Sequence, residues 1–187
     1  NPFLLGSLTN NGSTPVHTEA VLTIRHDGEL LSMLEISPPI PLPPEQPVHF
    51  TLASFPTLLL HDLKRAQQTG GLEISLQPDP MRTFEAEQPV LLQAFVTGLE
   101  DNGSKLIVNG QVQNSSENSV QLPSILLRIT ATDGELITAG WVTAAEAAPG
   151  GSDQPFQLIL PLPAEADLRF SEYDLRAFGI MGTESTP

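Results

Sequence analysis

At 187 residues the chain has room for one large domain or two small ones, and 40% hydrophobic content is enough for packed cores and too much for a disordered chain. Eight basic against twenty-two acidic residues leave a net charge of −14, a field that argues against nucleic acid and anionic lipid as partners, Lys64-Arg65 being a local exception. The absence of cysteine excludes disulfides, zinc–thiolate sites and thiol nucleophiles, and apolar runs such as Leu58-Leu59-Leu60 fall far short of the roughly 20 residues that cross a bilayer.

The chain begins at Asn1 without an initiator Met, which suggests a processed or trimmed polypeptide, with a signal peptide or membrane anchor expected outside this stretch. Strands are expected near 3–9, 18–26, 29–36 and 47–53, then 71–77 and 89–97. In 18–26, Leu22 and Ile24 alternate with Thr23 and Arg25, the period of a strand with one buried face. Asp27-Gly28 then supplies a tight reversal, since Gly reaches positive φ freely and Asp tolerates it. Pro38-Pro39 to Pro47 reads as a stiff connection. Thr57 opens a short helix through Leu58, Leu59, Leu60, Leu63 and Ala66, closed by Gly70-Gly71. Later strands are expected near 105–114, 124–132, 135–144, 154–161 and 172–181. Many short strands separated by turns point to antiparallel sandwiches rather than a parallel sheet.

An internal repeat organises these elements. Asp27-Gly28-Glu29-Leu30 recurs as Asp133-Gly134-Glu135-Leu136, and Val21 to Ile24 is echoed by Leu126 to Ile129. Gly6-Ser7-Leu8-Thr9-Asn10 corresponds to Gly110-Gln111-Val112-Gln113-Asn114, and Gln46-Pro47-Val48 to Gln154-Pro155-Phe156. The matches keep their order while the separation drifts by a few residues, as in a duplicated domain with altered loops. Leu92-Gln93-Ala94-Phe95 rhymes with Leu175-Arg176-Ala177-Phe178, which places the end of the first copy there and the join near Leu99 to Gly103. On that alignment the first copy, 1–99, carries about 25 residues that the second, 100–187, lacks, an inserted segment near 55–85.

No motif carries catalysis. The four histidines, His17, His26, His49 and His61, show no metal-ligand spacing. No nucleophile elbow, dinucleotide fingerprint or phosphate loop is present. Glu100 to Gly103 and the two Asp-Gly-Glu hairpins are the only candidates for calcium, without the usual ligand spacing. The Asn-Gly-Ser and Asn-Ser-Ser sequences at Asn11, Asn102 and Asn114 match the glycosylation acceptor pattern but are also ordinary turn material. A lone Trp141 could serve as a ligand platform or as core. The helix in the inserted segment, with Phe55, Leu58, Leu59 and Leu63, could present an apolar stripe to a partner or cap its own sandwich.

The repeated unit resembles FxLYD-type and related bacterial immunoglobulin-like domains. The resemblance rests on Gly110, Val112 and Asn114 ending a strand, on Asp133-Gly134 and Pro149-Gly150, and on the run Phe170 to Arg176. In the first copy it rests on Gly6, Leu8, Asn10 and Asp27-Gly28. It implies two tandem immunoglobulin-like antiparallel sandwiches, an extracytoplasmic location and a role in adhesion, scaffolding or assembly, with no catalytic residues and no cofactor. The leading expectation is therefore a non-enzymatic structural or interaction module that meets other protein subunits, touches membrane only through an anchor outside this chain, and uses Phe55, Leu58, Leu59, Leu63 and Trp141 for contacts. A carbohydrate- or calcium-binding module using loops around Trp141 or Asp101 is the alternative. An enzyme built from His26, His49 and scattered acids between the copies is the third.

Overall fold

The computed structural model describes residues 3–181 except 54, 56, 88, 164, 165 and 170, and within that span the side chains of all but 57, 58 and 67. The chain is mostly β. In order it forms β1 (Leu4–Leu8), β2 (Val16–His17), β3 (Ala20–His26), β4 (Glu29–Ile36), β5 (Val48–Leu52), α1 (Thr57–Thr69), β6 (Leu72–Pro78) and β7 (Phe84–Glu85). It continues with β8 (Val90–Asp101), β9 (Lys105–Asn114), β10 (Val120–Thr130), β11 (Leu136–Thr143), β12 (Ser152–Pro161) and β13 (Glu172–Met181). Every strand ladder is antiparallel. The alternation read from sequence is the burial pattern: Ala20, Leu22 and Ile24 are buried from β3, and Leu106, Val108 and Val112 from β9.

The same strand arrangement occurs twice. β3 lies between β4 and β6 while β1 pairs with β5; likewise β10 lies between β11 and β13 while β9 pairs with β12. Leu22, Ile24, Val48 and Phe50 meet in one core, and Ile125, Leu127, Val108 and Leu158 in the other. Local devices recur with the strands. Gly6 faces Phe50 across β1–β5 and Gly110 faces Phe156 across β9–β12. A Cβ at either glycine would strike the aromatic ring lying over it, so both positions exclude a side chain. Each copy has a β-bulge after the matching isoleucine, Ile24 in β3–β4 and Ile129 in β10–β11. Val16 and Leu42 exchange backbone hydrogen bonds, as do Val120 and Ala148.

A buried asparagine closes the turn after the first strand in both places. Asn10 donates from Nδ2 to the carbonyls of Thr14 (2.7 Å) and Leu42 (3.1 Å), and its Oδ1 accepts from the Gly12 N–H (2.8 Å). Asn114, 0% exposed, donates to the carbonyls of Asn118 (2.7 Å) and Ala148 (2.8 Å) and accepts from Ser116. The Asp-Gly hairpins differ by one residue. Asp27 and Gly28 both take positive φ, 50° and 82°, in a two-residue turn. In the second copy Ala131 and Glu135 close a three-residue loop with Gly134 at φ 87°.

Two expectations need correction. The pairing of β3 with β6 makes β6, not β8, the counterpart of β13. Leu92 sits opposite Ala177, so the likeness of Leu92–Phe95 to Leu175–Phe178 reflects neighbouring places over one core rather than equal places in two copies. The inserted segment therefore lies between β5 and β6, at residues 53–71 against 162–171 in the second copy, and is shorter than the sequence alignment implied. Leu99 to Gly103, expected as the join, falls in the β8–β9 hairpin, because β8 pairs with β9 and β13 and, among the described residues, with no earlier strand.

The connection ahead of β8 is held along the first set of strands. Arg82 pairs with Glu19 and lies near Glu35 and Asp79, and β7 pairs with β2 with Phe84 stacked beside His17. The two sets touch through β5 and β11. Thr51 Oγ1 accepts from the Ala139 N–H at 2.8 Å. Trp141 meets Phe50 edge-on, with ring centroids 6.5 Å apart.

Candidate functional site

Of the residues singled out from sequence for contacts, Phe55, Leu59, Leu63 and Trp141 lie inside the protein's own packing. Helix α1 turns Leu59 and Leu63, each 5% exposed, and Ala66 inward, and Phe55 packs against the same core. The side chain of Leu58 lies outside the described ones, as does Phe170. Trp141 joins the first core from the second set of strands. His26 is 3.1 Å from the Thr69 hydroxyl and 3.5 Å from the Asp27 carboxylate, at the end of α1. Asp101 and Asn102 turn their side-chain oxygens onto the backbone N–H groups of Gly103 and Lys105, closing the β8–β9 turn. Among the described residues no group of three or more His, Cys, Asp or Glu is placed to hold a metal ion.

A cleft of about 890 Å³ opens elsewhere, and strand geometry explains it. β8 pairs with β13 only over Val90–Leu92, opposite Ala177–Gly179, then swings across to pair with β9 from Gln93 onward. Where the two strands part, the edge of β13 from Glu172 to Arg176 is left without a partner on that side among the described residues. The cleft follows this seam. Leu91 and Phe95 of β8 line one wall, 71% and 51% exposed, and the chain from Pro43 to His49 of the first set lines another.

The floor is polar. On β10 and β13 the cross-strand pairs Arg128–Asp174 and Leu126–Arg176 point away from the Leu127–Leu175 core and toward the first set. Asp174 is shared by two guanidinium groups, Arg176 at 2.7 Å and Arg128 at 3.4 Å, which leaves one positive charge in excess within a strongly acidic protein. Arg176 also donates to the Gln46 side-chain carbonyl at 3.2 Å. His49 of β5 reaches the same place. Burial and the nearby Arg128 and Arg176 push its pKa below the usual value, against a smaller opposite pull from Asp174, so the ring is neutral. Among the described residues, two buried side-chain atoms have no hydrogen-bond partner: His49 Nε2 and Arg128 Nε. Unpaired polar atoms are costly in a folded interior, and most find a protein or water partner.

Sequence reasoning named His49 but not Arg128, Asp174 or Arg176. Arg128 reads as an outward residue of a half-buried strand, and Asp174 and Arg176 only as members of the run Phe170 to Arg176. The signal that could have found them is the repeat: Arg128 and Asp174 occupy the cross-strand positions held in the first copy by Thr23 and Ser75.

No protein-family model and no curated protein matches the chain. Among solved structures, red sea bream transglutaminase is similar over 97% of this chain and 29% of that chain, at 10% identity and a TM-score of 0.30. At that score the likeness supports no conclusion about fold or activity.

Proposed function

We propose that this chain is a non-enzymatic protein-interaction module, built as two tandem immunoglobulin-like sandwiches of FxLYD type, which binds an extended segment of a partner along the free edge of β13. The observation that carries this reading is the unpaired stretch Glu172–Arg176 opening onto a cleft walled by exposed Leu91 and Phe95. A free edge offers a row of N–H and C=O groups to an added strand, and apolar pockets beside it select alternate side chains. The extracytoplasmic location and the place in a larger assembly rest on the resemblance of the repeated unit.

The test is selection from a displayed library of random linear peptides against the whole chain, followed by amide exchange on the complexes. The reading expects enriched peptides that slow exchange at 172–176 and that lose binding to the Leu91→Ser and Phe95→Ser variants. Failure to enrich any peptide, or binding that leaves β13 exchange unchanged, would overturn it.

A further inference from the structure

We infer that the segment docked on β13 carries a carboxylate, seated between Arg128 and His49 at the floor of the cleft. This rests on the proposed edge-binding reading and goes beyond it by naming the chemistry of the partner. Three observations converge. The Arg128 Nε and His49 Nε2 atoms are both buried and unpartnered, and both residues line the same cleft. The charge there is unbalanced, since the Asp174 carboxylate already answers Arg176 at 2.7 Å and is only the longer, 3.4 Å neighbour of Arg128. Both atoms lie just beneath the surface, so an arriving carboxylate meets them as the partly exposed Arg128 side chain turns toward the cleft, and it then takes the Nε–H of Arg128 and a ring N–H of His49 in charge-assisted hydrogen bonds.

Every charged group facing the place is accounted for. Arg128 comes from β10, Asp174 and Arg176 from β13, His49 from β5, and Glu45 from the preceding loop. Glu45 is exposed at the rim, where solvent and salt screen it. The floor therefore favours an anion although the chain as a whole carries −14. The surrounding charge selects against a segment with many acids. A single carboxylate in an otherwise apolar, extended segment fits both the walls and the floor.

The neutral state of His49 in the free protein adds a second signature. A carboxylate beside the ring raises its proton affinity, so binding takes up a proton and tightens as the pH falls from about 8 to 6.

The selection described above tests this without any variant. Enriched peptides should share one acidic position at a fixed distance from their apolar residues. Peptides enriched without that preference would overturn the carboxylate and leave the edge-binding reading standing; no enrichment at all would remove the reading itself. A cycle then locates the contact. In the wild-type chain, exchanging the peptide's acidic residue for its amide should weaken binding about tenfold. In Arg128→Gln, which leaves Asp174 paired with Arg176, the two peptides should bind within about twofold of each other. An unchanged ratio in Arg128→Gln would refute the seat. If that variant fails to fold, His49→Gln serves in its place, with loss of the pH dependence as the readout.

Discussion

Replacing Asn114 with alanine removes four hydrogen bonds from a side chain with no exposure. Two run from Nδ2 to the carbonyls of Asn118 and Ala148, and two arrive at Oδ1 from the N–H and hydroxyl of Ser116. The full penalty of orphaned carbonyls does not follow, because the Ala148 oxygen still accepts from the Val120 N–H at 2.9 Å, and the Ser116 hydroxyl, released from Oδ1, turns its one proton to the Asn118 oxygen 3.0 Å away. At about 0.5–1 kcal/mol for each lost bond, the lower part of the usual range because both carbonyls keep a partner, the net loss is about 2–4 kcal/mol. Asn10→Ala removes three bonds from the matching turn and should cost less, about 1.5–3 kcal/mol. Urea unfolding followed by the fluorescence of Trp141, the sole tryptophan, alongside far-UV circular dichroism, measures both. A loss under about 1 kcal/mol for Asn114→Ala, or a larger loss for Asn10→Ala, would refute the view that this amide holds the turn together.

Gly110→Ala should destabilise more than Gly6→Ala, because its methyl meets the Phe95 carbonyl as well as the Phe156 ring, whereas the atoms nearest a methyl at Gly6 all belong to the Phe50 ring; thermal unfolding should show a loss above about 2 kcal/mol for the former, and Phe50→Leu should recover stability in Gly6→Ala. Trp141→Ala removes the contact with Phe50 between the two sets of strands and, for a half-buried ring, should cost about 2–3 kcal/mol, lowering Tm by about 5–10 °C. His49 has a folded-state pKa below its ordinary 6.5, so the unfolded chain binds more protons in the window below that value and stability rises with pH there. The contribution is complete above pH 6.5 and is lost as the pH falls; between pH 7.5 and 5.5 wild type should lose more stability than His49→Gln, and parallel losses would contradict the assignment.

The longer strands were legible where they are half-buried and write a period of two into the chain. Ala20-Leu22-Ile24 and Leu106-Val108-Val112 announce their faces without reference to anything distant. Helix α1 was legible from its threonine start and its Gly70-Gly71 stop, both glycines taking positive φ, 79° and 76°. Strand partnership was not. A sequence cannot say whether Leu92 faces its own copy or the next, and β8 satisfies the same apolar pattern over the second core that a last strand of the first would satisfy over its own. The two-residue strands β2 and β7 are too short to show a period. The cleft was illegible for a different reason: it depends on β8 leaving β13 for β9, a choice made by hydrogen bonding across residues far apart in the chain.

The comparison of copies also separates what the fold requires from what it merely permits. Gly6 and Gly110, Asn10 and Asn114, and the bulges after Ile24 and Ile129 recur because the same turn, ring and twist must be built twice. Arg128, Asp174 and Arg176 do not recur. Their counterparts in the first sheet are Thr23, Ser75 and Gln77, and that sheet forms with the same register. Two guanidinium groups and a carboxylate, only partly covered by the first set of strands, form a charged cluster that a folded sheet of this kind does not need. A charged cluster absent from the equivalent sheet, with Arg128 left incompletely hydrogen-bonded, is poorly explained by stability. The proposed recognition of a partner's carboxylate accounts for both properties together, at the place where β13 runs unpaired past β8 among the described residues.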